Sequence, residues 1–240
     1  MKTIINKSGN AFITIGIVRS KKLKNLIPKE ARVYKIFPGF SFYAVGIFNY
    51  NNVSDLVPGN KKYSWDNCFD TCIQIPIDLY STKKLFYIKR LYNSNQEVVR
   101  WAKGHSLYKI HSDVSFLEEK NKYNVVVKAT GNRKEKISLS GRSFLRLPKF
   151  FWRFGLLKAI SEAFMVSKFE NEFYCFQSKL SFEKSYLDTG RSEVIGIDLP
   201  RPLLSLSLSI HNFRPLKIKT FFKLYHECEY IEQTKMELLV

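Results

Sequence analysis

The residues of this chain that could do chemistry are few, and most lack the neighbours that chemistry requires. The four histidines, His105, His111, His211 and His226, show no HExxH-type spacing, so no metal centre is expected. Of Cys68, Cys72, Cys175 and Cys228, only the first two are close. A single Cys-x3-Cys with no second pair reads as buried free thiols in a reducing compartment. Ser106 has no Gly-x-Ser-x-Gly context, and no glycine-rich phosphate loop is present, so nucleotides are excluded and no cofactor is expected. What remains is the run Gly104-His105-Ser106-Leu107-Tyr108-Lys109, with His111 just beyond. It places a phenol, an amine and an imidazole within four residues, group types that move protons.

The elements that must position these groups are mostly strands. Phe12–Val18, Val33–Ile36, Phe42–Phe48, Thr71–Ile77, Leu85–Ile88, Ile110–Phe116, Tyr123–Thr130 and Lys136–Leu139 are rich in β-branched or aromatic residues. Phe173–Phe176, Leu180–Phe182, Val194–Ile197, Leu203–Ile210 and Leu216–His226 continue the pattern. Pro58-Gly59-Asn60 and Thr130-Gly131-Asn132 are turn punctuation. In Leu216–His226, Leu216, Ile218, Phe222 and Leu224 alternate with Lys217, Lys219, Lys223 and Tyr225, which predicts a core face and a solvent or partner face. Three helices are expected: Lys21–Leu26 capped by Ser20 and ending near Pro28, Asn95–Lys103 capped by Ser94 or Asn93 with Gly104 as its stop, and Phe154–Met165 after Pro148. Many short strands without regular intervening helices exclude a doubly wound parallel sheet. They predict a mostly β (α+β) chain, closed or sandwiched, in one domain over residues 1–240.

The stretch from Leu85 to Glu118 resembles the central segment of the acetoacetate decarboxylase family. There a strand leads through an Asn-containing turn and a helix to a Tyr-Pro-Lys-Lys signature, whose first lysine forms a Schiff base with a β-keto acid. The corresponding letters here are Ser106, Leu107, Tyr108 and Lys109. AFITIGIVRSKKLKNLIP (Ala11–Pro28) is similar to the family's opening strand and helix, and GFSFYAVGIF (Gly39–Phe48) to its next core strand. CFDTCIQIPI (Cys68–Ile77) is similar to the segment in which a glutamate precedes a Pro-ending strand, with Asp70 holding the carboxylate. These segments span roughly the first half of the chain, in the family's order. The resemblance implies a single antiparallel β-barrel or cone with a few peripheral helices. It also implies a mainly apolar pocket near Phe42, Tyr43, Asp70, Tyr108 and Lys109, and a lyase, a decarboxylase or a related Schiff-base enzyme, acting on a small keto acid. The family often assembles into homo-oligomers.

An ungapped match puts Tyr108 at the Schiff-base position and Lys109 beside it, and a one-residue slip in a strand sends a side chain to the opposite face. A local bulge, which Gly104 would allow, brings Lys109 back to the pocket. The family's second, activating lysine has no counterpart under either alignment. Its carboxylate-holding arginine falls near Asn10 and Ala11, leaving Arg19 as the nearby candidate for an anion, and one of its two pocket glutamates matches Tyr43. The expected site is therefore Lys109 and Tyr108 as catalytic groups, with Asp70, Tyr43, Phe42, Arg19 and His111 binding substrate. The alternative is a noncatalytic protein of the same fold, holding an apolar acidic ligand in that pocket and turning a basic surface to membrane or nucleic acid.

Thirty-nine Lys and Arg against 21 Asp and Glu give a net charge of +18, a field that attracts anionic partners. No zinc finger, RNP-type aromatic motif or helix-turn-helix pattern accompanies the cations, so nucleic acid is the less favoured partner. Leu145–Phe164 concentrates Phe150, Phe151, Trp152, Phe154 and Phe164 among Arg146, Lys149, Arg153 and Lys158. It reads either as a lid packing its aromatics on a barrel mouth or as a segment meeting an anionic membrane surface. No apolar run approaches the ~20 residues that span a bilayer. The N-terminus has neither a continuous apolar stretch nor a small-residue cleavage site, so a cytoplasmic location is expected.

Overall fold

The computed structural model describes residues 2–57, 61–79, 82–103, 108–131, 134–153, 155–161, 164–169, 172–224 and 237–238. Its organisation follows from the first strand, β1 (Lys2–Arg19), which buries side chains on both faces. Phe12 and Val18 enter one hydrophobic core, while Ala11, Ile13 and Ile15 enter another. With a side-chain period of two, a strand can be apolar throughout only if both of its faces are covered. β3 (Phe40–Val57) behaves in the same way: Tyr43, Val45 and Ile47 face the first core, Phe42 and Ala44 the second.

The remaining strands are β2 (Ala31–Val33), β4 (Lys61–Leu79), β5 (Thr82–Asn93), β6 (Ile110–Glu119), β7 (Lys122–Ala129), β8 (Lys136–Arg146), β9 (Phe164–Phe169), β10 (Glu172–Ser181), β11 (Lys184–Ile195), β12 (Leu204–Leu224) and β13 (Glu237–Leu238). Two helices, α1 (Gln96–Lys103) and α2 (Gly155–Ser161), and two 3-10 turns, Ser20–Leu26 and Lys149–Arg153, lie between them. Pairing in the order β1-β3-β4-β5-β6-β7-β8-β11-β12 and back to β1 closes a nine-stranded barrel. A second circuit branches from it: β9 pairs with β5, β10 with β9, and β12 with β10, closing on the shared wall β12-β1-β3-β4-β5. All pairings are antiparallel except β5–β6, β5–β9 and β1–β13. The expected mostly β, barrel-forming architecture is what the chain adopts.

The first core fills the nine-stranded barrel with Phe12, Tyr92, Tyr123, Val125, Val127, Ile137 and Leu139. One end of this interior is polar. Asp188 is buried there, accepts from Ser209 at 3.0 Å, and has its carboxyl raised above the usual range by burial. Ser143 bonds the same Ser209 hydroxyl at 2.9 Å. The second core lies within the branch circuit and gathers Ile13, Ile15, Phe42, Phe86, Leu208 and Ile210 around Trp152.

Several expected boundaries differ. The third helix, expected over Phe154–Met165, is the shorter α2, preceded by the 3-10 turn at Lys149–Arg153, and Phe164–Met165 belong to β9. Gly155 has a φ of +51°, which interrupts a helix. Pairing of Phe164–Val166 with Leu85–Tyr87 draws the following residues into the sheet. The runs Leu203–Ile210 and Leu216–His226 join through Leu224 as β12, but the side-chain alternation in the second run lies outside the described residues. Val33–Ile36 stops as a strand at Val33, because Ile36 turns to bond Phe40. No helix among the described residues is long and apolar enough to cross a membrane.

Gly9 sits where the β1–β3 register shifts, and a Cβ there would collide with the Asn49 carbonyl oxygen. Because that atom is backbone in the shared wall, Gly9→Ala is expected to cost roughly 2–4 kcal/mol. A urea unfolding midpoint close to that of the parent chain would show that the wall yields more easily than this.

Candidate functional site

Where β4 lies between β3 and β5, Phe48, Asp70 and Asn93 stand side by side in register. Residues paired in this way project from the same side of a sheet. Phe48 packs on the second core, so Asp70 and Asn93 face the branch circuit rather than the nine-stranded barrel. Next to them, α1 starts with Asn95 as its cap: its Oδ1 accepts from the Glu97 amide at 2.8 Å. The Asn95 amide in turn donates to Asn93 Oδ1 at 2.7 Å. The cap is therefore Asn95 rather than Ser94 or Asn93, and it is tied directly to the carboxylate's neighbour. Ser94 instead exchanges bonds with the Phe69 backbone through its own amide and its hydroxyl.

Beyond α1 the chain returns parallel to β5, with Tyr92 opposite Ile110 and Asn93 opposite His111. Ile110 is buried in the first core, and Lys109, one residue earlier, points the other way. Its Nζ lies 2.7 Å from Asp70 Oδ1, and its side chain is only 8% exposed. Asn93 Nδ2 donates to the same Oδ1 at 2.7 Å and to Cys68 Sγ at 3.1 Å. Tyr50 stands opposite Cys68 in register, and burial, followed by the Asp70 charge, pushes its phenol well above the usual range. Cys72 is pushed up to about 12, mainly by burial and then by Asp70. Its sulfur accepts from Gln74 Nε2 at 3.3 Å. Near neutral pH both groups are thus uncharged, leaving Asp70 and Lys109 as an ion pair in an otherwise neutral wall.

The other expected site residues lie elsewhere. Tyr108 is 55% exposed, because the period of two that turns Lys109 inward turns its neighbour out. Tyr43 fills the first core against Gly16, on the opposite face of β3 from Phe42, and burial raises its phenol. Phe42 shares the second core with Phe86, but it lies six residues along β3 from Phe48, roughly 20 Å at strand rise. Arg19 is exposed at the far end of β1, eight residues from the Ala11 that pairs with Phe48. That separation, roughly 26 Å, prevents it from holding an anion at Asp70. His111 is committed to structure: Nε2 donates to the Ser94 carbonyl at 3.2 Å, and Nδ1 lies 3.2 Å from Thr130 Oγ1. Gly104, the expected bulge, is outside the described residues. Asn93, Tyr50 and Cys72 were not among the expected site residues. Alternation from Asp70 along β4 reaches Cys72, and Asn93 and Tyr50 follow once the β3–β4–β5 register is known.

No family model matches the chain, and no curated protein matches its sequence. Solved structures do match. Acetoacetate decarboxylase from Legionella pneumophila aligns at a TM-score of 0.63 and 8% identity, over 96% of this chain and 88% of its own. Another acetoacetate decarboxylase gives 0.59 at 12% identity, over 93% and 91%. The enduracididine biosynthesis enzyme MppR complexed with pyruvate gives 0.57 at 8% identity, over 88% and 86%. The chain has the acetoacetate decarboxylase-like fold. Within this acetoacetate decarboxylase-like barrel, Asp70 stands in the wall shared by the two circuits, and Lys109 reaches it from the residue that precedes β6.

Removing one partner of a buried ion pair strands the other, so Lys109→Met and Asp70→Asn are each expected to cost roughly 3 kcal/mol. The double substitution should cost well under the sum, and strict additivity in a double-mutant cycle would show that the two groups do not interact. Because burial holds Cys72 as the neutral thiol up to about pH 12, iodoacetamide at pH 8.5 should leave it unmodified in the folded protein. Denaturation should make it reactive, and mass spectrometry of the Cys72 peptide reads both states.

Proposed function

We propose that this chain is a divergent acetoacetate decarboxylase-like enzyme that transforms a small β-keto acid through an imine on Lys109. The observation that carries the reading is the buried, inward-directed ammonium of Lys109, 2.7 Å from Asp70 Oδ1. Imine formation needs a neutral amine, and here a proton acceptor is already in contact. Proton transfer from Lys109 to Asp70 replaces an ion pair by a neutral pair, which low-dielectric surroundings favour. Asn93 keeps Asp70 aimed at the amine throughout. This arrangement takes the place of the second lysine, the neighbouring cation whose charge activates the amine in acetoacetate decarboxylase.

The neutral amine adds to the ketone carbonyl, Asp70 returns the proton it took to the hydroxyl so formed, and that hydroxyl leaves as water, giving an iminium. The bond to the β-carboxylate then breaks, carbon dioxide departs, and the electron pair moves onto the iminium to give an enamine. A proton returns to carbon, and hydrolysis releases the ketone and restores the Lys109 amine. Tyr50 and Cys72, held neutral by burial, add donors without adding charge to the wall. MppR was solved with pyruvate bound, which supports a small keto acid as the class of ligand. Tyr108, being exposed, takes no part in these steps.

Incubation with acetoacetate followed by borohydride reduction should leave a secondary amine on the peptide containing Lys109, with carbon dioxide released in an unreduced parallel sample. Lys109→Ala should abolish both signals. Asp70→Asn, which cannot accept the proton, should slow carbon dioxide release by about 10²-fold or more. Absence of an adduct with acetoacetate and with pyruvate, in a chain whose circular dichroism shows the folded sheet, would leave the noncatalytic binding reading in its place.

A further inference from the structure

The segment Leu147–Ile160 has two sides with different chemistry. Its inner side is a plug: Trp152 is buried in the second core, donates from Nε1 to Ser185 Oγ at 2.9 Å, and packs on Phe182 with ring centroids 4.6 Å apart. Leu147, Leu157 and Ile160 pack against the same core. Ser185 also accepts the Leu147 amide at its carbonyl, so the 3-10 turn is clamped at both of its ends. The outer side presents Phe150 and Phe151, 53% and 45% exposed, stacked on each other at 4.3 Å. Phe144 and Leu145, at the end of β8, are more than half exposed.

Every charge along this segment is positive. Arg146, Lys149, Arg153 and Lys158 are exposed, and the chain contains no acidic residue between Glu135 and Glu162. The outer face of the adjoining strands continues the theme. A trough of about 540 Å³ there is rimmed by Lys122, Arg142 and Arg191 against Glu119 alone. Exposed aromatic and aliphatic groups held on a rigid base, ringed by cations, match the boundary between acyl chains and anionic headgroups. A second copy of this chain is a poor occupant, since it would bring another net +18 against the same cations. Single-stranded nucleic acid needs open aromatic faces for its bases, whereas Phe150 and Phe151 cover one another and Leu145 offers no ring.

We propose that the surface formed by Phe144, Leu145, Phe150 and Phe151, with Arg146, Lys149 and Arg153, docks the protein on anionic lipid bilayers. The phenylalanines enter the headgroup boundary, the cations meet lipid phosphates and carboxylates, and the Trp152 plug keeps the platform rigid. This proposal does not depend on the chemistry of Asp70 and Lys109.

Flotation with vesicles of phosphatidylcholine containing one-third phosphatidylserine, against phosphatidylcholine alone, tests this. The full chain should float with the first and not with the second. Phe150→Ser with Phe151→Ser leaves the net charge unchanged and should weaken binding by about tenfold or more. Lys149→Glu with Arg153→Glu should abolish flotation, whereas Lys21→Glu with Lys22→Glu, the same charge change on a distant exposed turn, should leave most of it. Melting curves matching the parent would confirm that each variant is folded. Equal flotation by the Phe variant, or equal losses from the two charge-reversed pairs, would reduce the interaction to diffuse electrostatics and overturn the proposal. So would binding to a single-stranded oligonucleotide that is lost in the Phe variant and outcompetes the vesicles.

Discussion

Two opposite charges buried in an apolar wall constrain the rest of this molecule. Each ion costs several kcal/mol to remove from water, and the cost is recovered only if the partner is in contact and the remaining lone pairs are bonded. Asp70 and Lys109 are 39 residues apart in the chain, so nothing local brings them together. Their contact requires that β5 pair with β4 to place Asn93 beside Asp70, and that α1 turn the chain back. It also requires β6 to enter in the register that sets Tyr92 against Ile110. A shift of one residue in that parallel pairing would bury Tyr108 and leave Asp70 with a phenol where the ammonium now sits. The hydrogen-bonded path from the α1 cap through Asn95 and Asn93 to Asp70 locks the register at the point where it matters.

The same wall serves two interiors. Because β1 and β3 are covered on both sides, the stretches Ala11–Val18 and Phe42–Phe48 carry only Thr14 and the Tyr43 phenol as polar side chains, whereas Asn49 just beyond them keeps a buried Oδ1 without a hydrogen-bond partner. Thr14 meets Ser207 at 3.1 Å, and the Ser41 hydroxyl donates to the Tyr34 carbonyl at 2.6 Å. This double coverage gives the site rigid support: Asp70 stands on a strand hydrogen-bonded on both edges, with packed side chains behind it. A charged group placed on a loop would have neither constraint.

These features explain which parts of the molecule could be read in advance. Strand density, the α1 segment and the turn at Gly131 depend on local propensity and came through. Asp70 and Lys109 are singled out through the family resemblance, and the fold brings the two within 2.7 Å of each other. Tyr43 and Tyr50 show where local reading stops. They are the same residue type, seven positions apart on one strand, and only the face decides that the first fills a core while the second adjoins Asp70. In a strand apolar on both faces, the pattern carries no mark of which face is which. Arg19 failed for a related reason. Nearness along the chain to a strand says little when the strand is 18 residues long and the site lies beside its middle, eight residues from Arg19.

The ion pair also changes how a lysine of this fold would be made reactive. A neighbouring cation raises the energy of the ammonium and so promotes loss of its proton to any acceptor. A neighbouring carboxylate does the reverse while the pair stays charged, because opposite charges in contact stabilise each other. What it supplies is a short transfer path, after which neither group is charged. The balance between the two forms then depends on how dry the wall is. Water stabilises the ion pair, and an apolar ligand that displaces water shifts the balance toward amine and carboxylic acid. Tyr50 and Cys72 are neutral because their surroundings are desolvated. Under the imine chemistry proposed for Lys109, substrate entry and amine activation would be one event.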